Sequence, residues 1–465
     1  MFGSSTFAAL AVSAIFASFA TARPHQFHSR HARPSQGSPT IGGFAHPSGT
    51  GVPYPVSSSH ISSNATANTN SSTTSKVRGV NLGGWLILEE WMYDDDSIFS
   101  GTDATDQWTF DSTPGAEAAL HNHWDTYINE TDFAWMAKAG FTHVRIPIGY
   151  WAYNNSNTPY ITGADAILEK AIGWARQYGM WVMIDCHGSP GSQNGQMHSG
   201  HSGSVDWQTP DNLGLSIDVL NTIGSKYGAM KYADVVMGIE IVNEPSTNDG
   251  NDPEVTMTFA KNAYDTIKYV AANPDLYVIT HDAWLGASKW SSLAQTLNSH
   301  TPSPRFALDL HLYQNQDTAS KALDIHGHIA AACAWSQTEF LPPGSDLPIF
   351  VGEFAGTIDI CANPNNSTDG GLSCTEESCQ CTNIPMHSYV DSANTVATSL
   401  RDDLRRFWEA QVQTFEHSSM GWFVWSLKGP GLWSAENLVQ FILQGDHLGT
   451  TKFPGICAQA GSPWE

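Results

Sequence analysis

From Lys76 onward, short apolar runs alternate with longer stretches whose apolar residues recur at helical spacing. The short runs are 77–82 (VRGVNL), 141–148 (FTHVRIPI), 181–187 (WVMIDCH), 235–243 (VVMGIEIVN), 276–282 (LYVITHD), 306–313 (FALDLHLY), 348–354 (PIFVGEF) and 421–427 (GWFVWSL). Most are rich in Val, Ile and Leu on both faces, as parallel strands covered by helices must be. The intervening pattern predicts helices over about 116–139, 163–178, 254–272 and 390–416, the second opened by Thr162 with Asp165 as a capping box. Eight such units in alternation predict an α/β fold: a (β/α)8 TIM barrel over 76–465, with loop insertions at the C-terminal face.

The first 75 residues read differently. Residues 1–22 carry no charge, hold an apolar stretch around Phe7–Ala20 and end Ala20-Thr21-Ala22, the small-x-small pattern of a secretory signal peptide. The stretch is short of the roughly 20 apolar residues a spanning helix needs, and no later segment reaches that length. Residues 23–75 are Ser, Thr, Pro, Gly, Asn and His with few large apolar side chains, predicting a disordered stalk. Asn64, Asn70, Asn129, Asn154, Asn365 and Asn366 each begin an N-glycosylation pattern. The expectation is an exported protein, extracellular or in a cell wall.

Seven cysteines support that compartment. Cys361, Cys374, Cys379 and Cys381 cluster in one Gly/Asn/Ser-rich stretch, flanked by Cys333 and Cys457. Six cysteines allow 15 pairings, and spacing cannot choose among them. The competing zinc reading lacks the usual ligand spacing. Cys186, inside an apolar run, is expected to be a buried free thiol.

The formal charge of −24 repels polyphosphate and sets nucleic acid aside as a partner. Charged residues make up only 14% of the chain, and 51 aromatics are present, 17 of them Trp. The charges that do occur fall at informative places. Arg145, His187, Asn243 with Glu244, His311 with Tyr313, Glu353 and Trp425 interrupt the C-terminal ends of the strand-like runs. A barrel opens all of those ends on one face, where active sites are built. Glu244 after strand four and Glu353 in strand seven face each other across such a mouth. Paired carboxylates are the requirement of glycoside hydrolysis, one protonating the leaving oxygen while the other attacks carbon or activates water. Asn243 is suited to a sugar 2-hydroxyl, Arg145 and Tyr313 to holding one glutamate ionised, and Trp425 to stacking on a sugar ring.

The segments RGVNLGGWLILEEWM (78–92), GFTHVRIPIGYWA (140–152), HGSPGSQNG (187–195), GIEIVNEP (238–245), LDLHLYQ (308–314), VGEFAG (351–356) and GWFVWSLK (421–428) resemble glycoside hydrolase family 5, and within it the fungal exo-β-1,3-glucanase (glucan 1,3-β-glucosidase) group. The resemblance implies a retaining mechanism with Glu244 as acid/base and Glu353 as nucleophile. It implies substrate contacts by Glu89, Arg145, His187, Asn243, His311, Tyr313 and Trp425, with no metal or other cofactor. The chain departs from close members of that group at Gln196 and Asn315-Gln316, where they carry aromatics, at Phe354, where Trp is common, and at Ser426-Leu427, where Thr-Trp is more usual. Linkage preference therefore stays open.

The resulting expectation is a secreted, monomeric retaining β-glucanase acting on β-glucan polysaccharide or oligosaccharide, releasing glucose from non-reducing ends of β-1,3-glucan. The alternatives are a β-1,6-glucanase or another β-glucan or β-mannan hydrolase on the same scaffold, and more remotely a non-catalytic wall-binding protein. Other patterns are weaker. His198 and His201 lie in a Gly/Ser loop without the rest of a zinc motif. Asp94-Asp95-Asp96 reads as a solvated acidic loop, with calcium binding as the alternative. No GxSxG elbow, phosphate loop or GxGxxG is present. Trp85, Trp91, Tyr150, Trp151 and Trp433 are either sugar platforms or core.

Overall fold

Each of the eight apolar runs forms a strand in the computed structural model: β1 Val77–Asn81, β2 His143–Gly149, β3 Trp181–Gly188, β4 Val236–Glu240, β5 Tyr277–His281, β6 Phe306–His311, β7 Ile349–Phe354 and β8 Gly421–Val424. The structure describes residues 76–93, 97–299, 304–358 and 398–460, together with the backbone of three short strands, Ile360–Ala362, Thr368–Gly370 and Gln380–Cys381. The expected signal peptide and stalk, the Asp94–Asp96 run, and the sequons other than Asn129 and Asn154 lie outside the described residues. So do the side chains of Cys361, Cys374, Cys379 and Cys381.

The strands close into one parallel barrel, each hydrogen-bonded to its neighbours in chain order, and β8 pairs with β1 through Val77↔Gly421 and Val80↔Val424. Helices return the chain over the outside between successive strands: α1 Glu130–Ala139, α2 Ala164–Gln177, α3 Pro210–Tyr227, α4 Pro253–Val270, α5 Ala287–Asn298, α6 Ile325–Thr338 and α7 Thr398–Ser418. Among the described residues no helix is long and apolar enough to cross a membrane.

Two helix expectations need correction. The stretch 116–139 is broken into Ala116–Thr126 and α1, because the Asn129 side chain accepts from Thr131 N–H while Asp132 accepts from Asn129 N–H, a reciprocal cap that starts a new helix. Helix α2 is not capped by Thr162. Its N-cap is Gly163 at φ 124°, and Asp165 bonds Lys226 and Tyr227 of α3 instead.

Strand alternation sorts the barrel interior into layers, since side chains two apart share a face. Val77, Met183, Met237, Ile279, Ala307, Phe350 and Phe423 form an apolar plug at one end. Two residues further along, on the same faces, come Asp185 after Met183 and Asp309 after Ala307; two further still come His187 and His311. Gly352 marks where this polar layer is tightest: its N–H donates to Asp309, and a side chain there would collide with that carboxylate.

A larger apolar layer fills the space between strands and helices. It contains Trp85 and Trp151, fully buried, and Tyr150, nearly so, which makes these three core and not sugar platforms. A disulfide joins Cys333 of α6 to Cys457 near the C-terminus across 124 residues of sequence, and Cys186 is a buried free thiol.

Candidate active site

Arg145 organises the site. It is fully buried, and its guanidinium spends its donors on Glu240 (2.8 Å), Asn81 (2.9 Å), Glu353 (2.9 Å) and Asn243 (2.8 Å), with Asp185 at 3.1 Å. A buried cation is tolerable only when its charge and hydrogens are matched, and here buried acids on strands β3, β4 and β7 match it. Of the interior acids, Asp185, Glu240 and Asp309 were not among the expected site residues; Asp185 and Asp309 each stand two before a histidine (His187, His311), which places both on the inner face.

Glu353 receives Arg145 Nη1 on Oε1 and the Tyr313 hydroxyl on Oε2, each at 2.9 Å. Both oxygens are therefore fixed by a donor. Glu244 lies where β4 has left the sheet, with φ 43°, a left-handed conformation costly for a residue with a side chain. Its Oε1 takes His311 Nδ1 at 2.6 Å, and its Oε2 lies 3.5 Å from His198 Nε2. His311 Nδ1 is also 3.4 Å from Glu353 Oε2. One nitrogen touching both carboxyls holds those two oxygens within about 6 Å of each other.

His187 Nδ1 pairs with Asp185 at 2.6 Å, its ring stacks on Trp425 with centroids 5.6 Å apart, and Asn243 Nδ2 reaches within 3.5 Å of its Nε2. Glu89 is buried beside them, accepting from Trp91 Nε1 at 2.9 Å while its other oxygen has no partner among the described residues. Trp91 packs edge-on against Trp433, which lies against Tyr313, so these two half-buried indoles line the same mouth. The structure thus brings together Glu89, Arg145, His187, Asn243, Glu244, His311, Tyr313, Glu353 and Trp425. Of the two loop histidines, only His198 reaches the site; His201 stacks on Trp108 at 4.5 Å.

Burial raises the Glu353 carboxyl above its ordinary value, opposed by the charges of His311 and Arg145. Burial acts on Glu244 in the same direction, but the His311 hydrogen bond and charge outweigh it and bring that carboxyl down. Burial disfavours charge on His311, yet Glu353 and Asp309 overcome this and hold it protonated well above the usual range. This order is the reverse of a resting acid at Glu244 and a resting carboxylate at Glu353. It follows from His311 being cationic and nearer to Glu244. In hydrogen bonding the two differ as well: Glu353 has a fixed donor on each oxygen, whereas Glu244 has a short donor contact only on Oε1, with His198 Nε2 3.5 Å from Oε2. Burial lifts Glu89 to about 7.

Glu244, His281 and His311 are close enough to share a metal ion. His281 Nδ1 accepts Ala283 N–H at 3.0 Å, so its proton sits on Nε2 and that nitrogen has no lone pair to give. The donor set does not fit a metal.

The sequence profile of the cellulase family (glycosyl hydrolase family 5) matches residues 102–429. The chain is 36% identical over 398 residues to the "probable glucan 1,3-beta-glucosidase A" of Aspergillus fumigatus, covering 82% of this chain and 90% of that protein. It is 35% identical over 402 residues to the "glucan 1,3-beta-glucosidase" of Blumeria graminis, covering 82% and 89%. The crystal structure of a rutinosidase from Aspergillus niger superposes with a TM-score of 0.61 at 20% identity over 78% of this chain and 96% of that one, a likeness of fold.

Proposed function

The chain belongs to glycosyl hydrolase family 5, and on that premise we propose that this glycoside hydrolase cleaves β-1,3-glucan from its non-reducing ends by double displacement. The observation that carries the reading is the pair of carboxyls sharing His311, one clamped by Arg145 and Tyr313, the other bonded by His311 on one oxygen. Glu353 is the nucleophile: its two donors fix the carboxylate and leave it aimed, and they match its negative charge when the sugar bond breaks. Glu244 protonates the leaving oxygen from Oε2, then takes a proton from the water that releases the sugar. Asn243, held by Arg145 through Oδ1 and with its Nδ2 3.5 Å from His187 Nε2, donates from Nδ2 to the sugar 2-hydroxyl. His187 and Trp425 form the floor and wall of the sugar site, and Glu89 binds the terminal sugar. The uncharged leader at 1–22 and the Ser/Thr-rich stretch behind it support export to the cell exterior or wall.

The test is product analysis on laminarin and pustulan, following anomeric configuration by proton NMR. Glucose released first as the β-anomer from laminarin supports the reading. Oligosaccharides from laminarin overturn exo action, an α-anomer overturns retention, and release from pustulan alone moves the linkage to β-1,6.

A further inference from the structure

Four large apolar side chains stand out from the surface among the described residues: Trp181, Met230, Tyr269 and Trp284. Trp181 opens β3, while Met230 and Tyr269 come shortly before β4 and β5, so those three belong to the end of the barrel remote from the mouth. Trp284 alone follows a strand. It stands three residues beyond β5, on the face where Glu244 and Glu353 meet, and is 41% exposed.

The turn that presents this indole is strained and tied down. Ala283 and Trp284 are consecutive left-handed residues, with φ 58° and 60°, a conformation costly for a residue with a side chain and kept only where neighbours enforce it. The Asp282 carboxylate accepts Trp284 N–H on Oδ1 and Gly286 N–H on Oδ2, both at 2.9 Å. His281 Nδ1 accepts Ala283 N–H at 3.0 Å, and Trp290 Nε1 donates to the Asp282 carbonyl at 2.9 Å. Thr247, three residues past Glu244, donates its hydroxyl to the Ala283 carbonyl at 2.9 Å. The indole is thereby fixed to the loop that carries the acid.

Its ring meets His281 edge-on at 4.8 Å and lies 6.4 Å from His311, whose Nδ1 bonds Glu244 Oε1 at 2.6 Å. The other aromatics of the mouth gather elsewhere: Trp425 on His187, Trp91 beside Glu89, and Trp433 against Tyr313. In the proposed reaction Glu244 gives its proton to the leaving oxygen. The departing sugar therefore lies on the acid's side of the cleft, which is the side of Trp284.

We propose that Trp284 is the platform for the leaving sugar: the glucosyl ring on the reducing side of the cleaved bond lays its C–H face on the exposed indole. Covering that indole removes apolar surface from water, and the gain is realised only with a substrate that carries a ring there. The same platform receives an acceptor sugar in place of water, so it also favours transfer over hydrolysis.

The proposal rests on Glu244 being the acid. Its test is kcat/KM for wild type, Trp284→Ala and Trp284→Phe on laminaribiose and on β-glucosyl fluoride, whose leaving group is a single atom. Trp284→Ala is expected to lose about tenfold on laminaribiose and no more than about twofold on the fluoride. Trp284→Phe, which keeps an aromatic face, recovers to within about threefold of wild type. With the fluoride as donor and laminaribiose as acceptor, Trp284→Ala forms less trisaccharide per glucose released. Equal losses on both substrates, or no loss on laminaribiose, overturn the role of Trp284 and leave the glucosidase reading standing. Wild type that cleaves neither substrate overturns the glucosidase reading itself.

Discussion

Glu89 shows what the site costs at the level of one residue. Its carboxyl is buried with one oxygen unpartnered among the described residues, and burial lifts it from 4.5 to about 7. A carboxyl raised on folding holds its proton in the native state after the unfolded chain has lost it. Stability attributable to this group therefore falls as pH rises between those two values. Glu89→Gln is expected to raise the melting temperature at pH 7.5, by an amount equivalent to about 2–3 kcal/mol, and to change it little at pH 4.5. It should also raise KM for laminarin. Thermal unfolding at the two pH values checks the sign. Arg145 is the opposite case. Arg145→Met leaves Glu353, Glu240, Asp185 and Asp309 facing one another without their cation, and should cost more than about 3 kcal/mol in urea denaturation or prevent folding altogether.

At the scale of elements, the strands were legible because eight buried parallel strands leave eight apolar runs. Their ends were less so. The runs 235–243, 306–313 and 421–427 overshoot the strands by two or three residues, since β4 ends at Glu240, β6 at His311 and β8 at Val424. The overshoot contains Asn243, Tyr313 and Trp425: the chain stays apolar there but leaves the ladder to aim side chains into the mouth. The interior acids Asp185, Glu240 and Asp309 were not singled out, because an acid inside an apolar run carries no sign of the buried arginine that matches it. The helix break at Asn129 was missed because its cap depends on a side chain turning back on its own backbone. The loop after β3 was legible only as Gly/Ser-rich. Its order depends on Gly200, where φ is 92° and a side chain would strike Trp151. Gly200→Ala should cost about 1–3 kcal/mol.

For the whole molecule, Lys76–Glu465 forms one compact unit whose C-terminal segment is tied back to α6 by Cys333–Cys457. Cys457 Sγ also lies against Thr414 and the Ala410 carbonyl of α7, so the bond pins two outer helices to the end of the chain. A bond closing so long a loop limits the unfolded chain strongly, and Cys333→Ser with Cys457→Ser should lose about 2–5 kcal/mol, read as a shift in the urea midpoint with catalysis at 25 °C retained. The acidic surface and the aromatic-lined mouth suit a neutral sugar polymer. The proposed nucleophile is the Glu353 carboxylate, one oxygen of which would bond to the sugar's anomeric carbon. Incubation with 2-deoxy-2-fluoro-β-glucosyl fluoride, followed by peptic digestion and mass spectrometry, locates that bond. The predicted result is one fluoroglucosyl group per chain, on the peptide carrying Glu353 and on that residue. Label on Glu244, or a turnover that proceeds without covalent label, contradicts the account.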